Sequence, residues 1–145
     1  MALSVEGPAD RVEQLITLTE RLTELMAQDA ADFEARRPHL AAARAEESSR
    51  LANLYRHESM RVKRSPDLIA GAPAGRRQHL TRATEAMERV LRRHAGALEA
   101  MKTVTEGLVK AVADEVASQR ATSNSYGPGA KAASPSASIA LNKRA

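Results

Sequence analysis

The sequence predicts an all-α protein: an extended antiparallel helical bundle or coiled coil of three long helices, followed by a disordered C-terminal tail. Three observations predict it. Apolar residues recur three and four positions apart through most of the 145 residues, and no window alternates like a strand. The composition favours residues that lose little on entering a helix, chiefly Ala, Leu, Glu and Arg. With no Trp, one Phe and two Tyr, the apolar surface must come from aliphatic stripes, which suit helix seams better than a thick globular centre.

The first helix is expected over about residues 8–36. Pro8 follows Gly7 at a position where a missing N–H costs nothing, and Asp10 and Glu13 lie near the positive end of the helix dipole. Val12, Leu15, Ile16, Leu18, Leu22, Leu25, Met26 and Phe33 form a stripe wide enough for more than one neighbour. Pro38 disfavours helical geometry at Arg37, so a kink or a tight turn is expected there.

A second helix is expected over about 39–63, with a thinner stripe that includes Leu51, Leu54, Tyr55 and Val62; Glu47 and Glu58 fall on or beside it. A loop over 64–75 follows. Within it Ser65-Pro66-Asp67 is expected to start one short turn, and Gly71-Ala-Pro73-Ala-Gly75 to break the chain.

The third helix is expected over about 76–120. Leu80, Thr84, Met87, Leu91, His94, Leu98, Met101, Thr105, Leu108, Val112 and Glu115 repeat with steps of four and three, the 3.5-residue period of coiled-coil packing. A helix of that length extends about 67 Å, whereas a compact domain of about 120 residues has a radius of gyration near 14 Å. Part of its stripe is therefore expected to stay exposed or be covered by a partner. The tail, 121–145, is polar and rich in Ala, Ser, Gly and Pro, with too little apolar surface to offset the entropy of ordering. Near its end stand Ile139 and Leu141.

Charge divides unevenly. Residues 1–55 hold six basic and ten acidic side chains, residues 56–94 ten basic and four acidic. An acidic first arm and a basic middle segment are expected to attract each other. The tail contributes +3 of the overall +4 through Lys131, Lys143 and Arg144, so the body is nearly neutral and nucleic acid is not expected as a partner. Cysteine is absent. No run approaches the roughly 18 apolar residues of a membrane span, and the N-terminus lacks a signal-peptide pattern, so a cytoplasmic protein without membrane insertion is expected.

Catalytic and metal motifs fail on inspection. His57-Glu58 begins like a zinc-protease motif, but Arg61 stands where the second His belongs. Gly71 to Gly75 is one residue too short for a phosphate loop and lacks the Lys-Ser/Thr pair. An enzyme is not expected, nor a metal or cofactor. The residue reading favours a protein that holds other proteins, with Leu98, Met101, Leu108 and Val112 as partner contacts. Ile139 and Leu141 would be a second contact, shielding the helix-three stripe until a client displaces them.

Several segments carry a family resemblance: Asp29-Ala-Ala-Asp-Phe-Glu closing the first helix, Glu46-Glu47 ahead of Leu51, and Pro66-Asp-Leu-Ile-Ala-Gly-Ala-Pro73. Further on come Thr103-Val-Thr-Glu-Gly-Leu-Val-Lys-Ala-Val-Ala-Asp-Glu-Val, then Tyr126-Gly127-Pro128 and the ending Leu141-Asn-Lys-Arg-Ala145. Together they resemble the FlgN-type flagellar type III export chaperones, in their alphaproteobacterial form. That resemblance implies a cytoplasmic chaperone that binds secreted hook-associated (hook–filament junction) subunits through its C-terminal helical region. It would prevent their premature assembly and deliver them to the export apparatus. The alternative is a homo-oligomeric coiled-coil structural adaptor; a monomer or a homodimer fits the chaperone reading.

Overall fold

A computed structural model describes residues 2–125. The described residues are all-α, with five helices and no strand: α1 (Pro8–Glu34), α2 (Pro38–Ala42), α3 (Ala45–Arg64), α4 (Asp67–Ala70) and α5 (Ala74–Ser125). They divide into two units on either side of the step from Thr103 to Val104. The expected disorder of the tail, and Ile139 and Leu141 within it, lie outside the described residues. Residues 121–125, placed in the tail by sequence, are helical.

In the first unit α1 is the most deeply buried element. Val12, Leu15, Ile16, Leu18, Leu22 and Leu25 are all buried, and α2, α3 and α4 pack against it. The wide stripe explains this placement, because each flank meets a different neighbour. At the start of α1, Val12 and Ile16 cluster with Ala72, joined by Ile69 of α4 and Leu80 of α5. Gly71 lies beside Pro8 here: a Cβ at Gly71 would sit 3.4 Å from the proline Cγ.

Ion pairs fix the direction of the neighbours. Arg11–Glu58, Arg21–Glu47 and Asp29–Arg44 join α1 to the chain from Arg44 through α3 in opposite order along the two segments. The Glu13–Arg76 and Glu34–Arg93 pairs, with a 2.8 Å hydrogen bond between Glu20 and His79, join α1 to the start of α5 in the same order. The pairing expected between an acidic first arm and a basic middle segment is made by the three contacts to α5; Arg21–Glu47 and Asp29–Arg44 lie within the first arm, and Arg11–Glu58 joins the two segments with the charges reversed.

Pro38 marks a turn. The Arg37 N–H donates to the Asp32 carbonyl at 2.7 Å and the Arg36 N–H to that of Phe33 at 3.0 Å, while Arg36 takes φ 59°. This is the paired reverse-bond ending of a helix, with arginine at the left-handed position that glycine usually fills and proline soon after. The expected single helix over 39–63 is interrupted: α2 is one turn, and α3 starts afresh after Ala43 and Arg44. No intrinsic breaker stands there. Arg44 is instead held by two carboxylates of α1, Asp29 at 2.9 Å and Asp32, which fixes the chain where propensity alone would continue it.

Candidate functional site

Among the described residues each unit leaves an apolar surface uncovered. In the second unit every described residue over 104–124 is exposed. Val104, Leu108, Val112 and Val116 follow at four-residue steps, with Val109 beside them. Successive residues turn by about 100°, so these five side chains share an arc of about 140° on one face. Leu108 is 63% and Val112 55% exposed. Sequence periodicity singled out Leu108 and Val112 but not Val104 and Val109, which flank the strict heptad line.

The other candidates separate. Leu98 and Met101 belong to the first unit, where Leu98 is 48% exposed and Met101 is half-buried. Earlier in the same periodic series Met87 is buried, so the series changes role along α5, from packing to exposure. Ile139 and Leu141 lie outside the described residues. His94, also on the series, meets Phe33 of α1 edge to face at 5.4 Å between ring centroids.

The first unit carries an apolar groove of about 390 Å³ formed by all three long helices: Leu22 and Met26 of α1, Tyr55 and Met60 of α3, Met87 and Leu91 of α5. Three of the five methionines of the chain line it. Met60 is 47% and Leu91 50% exposed. Arg56 and Lys63 stand at its rim, and no carboxylate is among its lining residues. A second cavity of about 230 Å³ adjoins it, sharing Tyr55, Ser59 and Lys63 and reaching Leu80 and Thr84. Sequence reasoning missed this groove because its walls come from three separate stripes.

Glu58 is fully buried; it accepts the Arg11 guanidinium at 2.9 Å and the Leu3 backbone N–H at 3.1 Å, with Arg61 at 3.4 Å. Burial would raise its carboxyl, but the Leu3 N–H and the charges of Arg61, Arg11 and His57 outweigh it and hold the group below its ordinary value. Arg61, which broke the zinc-protease pattern, is thus a partner of the glutamate in that pattern. Among the described residues no group of His, Asp and Glu is placed to hold a metal ion, and no helix is long and apolar enough to cross a membrane.

Comparison with known proteins adds one relative. The flagellar basal-body protein FlbY of Caulobacter vibrioides is 53% identical over 149 aligned positions, covering the whole of both chains. No family model matches the chain, and no solved structure matches it.

Proposed function

The chain belongs to the family of the flagellar basal-body protein FlbY, and from this premise we propose that it is a cytoplasmic flagellar export chaperone. It binds hook-associated subunits, prevents their premature assembly and delivers them to the type III export apparatus. In this reading α5 carries the binding face. The resemblance to FlgN-type chaperones supports this reading, and the observation that carries it is the exposed aliphatic face over 104–116.

Five large aliphatic side chains within thirteen residues, none of them buried, make a face suited to another helix. Fully burying a Val or Leu side chain stabilises a complex by about 1.5–3 kcal/mol, so a few of them suffice for useful affinity after association costs. A secreted subunit's amphipathic segment lies along such a face as a helix, through anchors three and four residues apart. Leu108 and Val112 are its central contacts. Leu98 and Met101 of the first unit, and Ile139 and Leu141, are further ones.

The test uses the full chain and a purified hook-associated subunit. Leu108→Glu together with Val112→Glu should weaken binding at least a hundredfold while circular dichroism keeps its helical signal. Unchanged affinity would overturn the assignment, and collapse of the helical signal would show that these residues serve as core. A homo-oligomeric structural adaptor is the second reading, favoured by the description of the relative as a basal-body protein. A stable dimer in light scattering, dissociated by the same pair of substitutions, would support it.

A further inference from the structure

We propose that the methionine-lined groove of the first unit is a second docking site, for an amphipathic helix of a partner protein whose apolar stripe is flanked by acidic residues. The groove is independent of the face over 104–116 and does not rest on the chaperone reading. Together with the adjoining cavity it runs along α5 from Leu80 to Leu91, about 16 Å, the length of three helical turns. That span accepts an apolar anchor from each turn of a bound helix.

The lining fits an occupant whose side chains vary. Met26, Met60 and Met87 are unbranched and polarizable, and they reshape around different aliphatic anchors at small cost. Met60 and Leu91, exposed from facing helices, have apolar surface left to cover.

Charge selects the flanks. Arg56 and Lys63 are exposed, and neither forms an ion pair among the described residues. With no carboxylate in the lining, the rim attracts an acidic helix and repels a basic one. The chain's own residues 126–145 carry only Lys131, Lys143 and Arg144 as charged side chains, the same sign as the rim, so they make a poor occupant.

The methionines supply the readout. The full chain is labelled at its methionine methyl groups and titrated with a synthetic peptide of about four turns, Leu at three- and four-residue steps and Glu on both flanks. A control peptide carries Lys on the flanks. Saturable shifts are expected for Met26, Met60 and Met87 and not for Met1 or Met101, with the Lys peptide at least tenfold weaker. Lys63→Glu should weaken the acidic peptide about tenfold, whereas Leu108→Glu with Val112→Glu should leave its affinity unchanged. No saturable shift, equal binding of both peptides, or shifts centred on Met101 would overturn the proposal. Groove signals that move with protein concentration alone would reassign it to a second copy. Signals that move on deletion of 126–145 would reassign it to the chain's own end.

Discussion

Glu58 shows how one residue can be conspicuous in sequence for the wrong reason. Beside His57 it looked like the start of a metal motif, yet it lies buried against Arg11, 47 residues earlier. Removing Arg11 takes away the 2.9 Å partner of this buried carboxylate and leaves it the Leu3 N–H and Arg61 at 3.4 Å, so the cost is up to about 3 kcal/mol, the low end for breaking a buried pair. Arg11→Met should therefore lower the unfolding free energy by roughly that amount in urea denaturation. The same group sets an acid limit. Its carboxyl is held lower in the folded chain than in the unfolded one, so its contribution is present above the ordinary value of 4.5 and is lost as pH falls below that. Glu58→Gln should flatten this part of the stability profile, measured by melting temperature between about pH 3 and 6. An unchanged acid slope would place the sensitivity elsewhere.

At the scale of elements, the turn between α1 and α2 shows what periodicity can and cannot read. The stripes of α1 and α5 were legible because helical burial repeats every three or four residues, and the buried positions of α1 from Val12 to Leu25 are the periodic ones. Pro38 signalled an interruption, but its geometry depends on Arg36 taking a left-handed conformation, which nothing in an arginine side chain announces. The break between α2 and α3 was illegible for another reason: it follows from Arg44 meeting Asp29 and Asp32 on a different helix. Arg36→Gly should relieve the strain at φ 59° and stabilise the protein by up to about 1 kcal/mol, read as a rise in melting temperature. A clear fall would mean that the arginine side chain contributes more than its backbone costs. The candidate surfaces divide in the same way. Leu108 and Val112 could be named from one stripe, whereas the groove needs Met26, Tyr55 and Leu91 brought together from three.

At the scale of the whole molecule, the division of charge along the chain has a structural outcome. The acidic first arm is matched by Arg76, His79 and Arg93 of α5, and Arg93 grips both oxygens of Glu34 at 2.8 Å. That hydrogen-bonded guanidinium holds the Glu34 carboxyl below its ordinary value, against the opposing effect of desolvation. These pairs orient the helices more than they stabilise them, because exposed ion pairs are worth little and are screened by salt. Raising sodium chloride to 1 M should consequently lower the melting temperature by only a few degrees. A collapse of the fold would show that surface charge carries more of the stability than exposed pairs elsewhere do.

The bond from Leu3 to Glu58 also imposes an order of events during synthesis. The two residues are 55 positions apart, and a ribosome adding about 5–20 residues per second needs roughly 3–11 s to make the intervening chain. During that interval Leu3 and Arg11 have left the ribosome without the carboxylate that will hold them. The nascent first helix, with its wide apolar stripe, is then exposed to the cell's own folding helpers and proteases. A protein read as guarding others from premature assembly must first pass through a brief unguarded interval of its own.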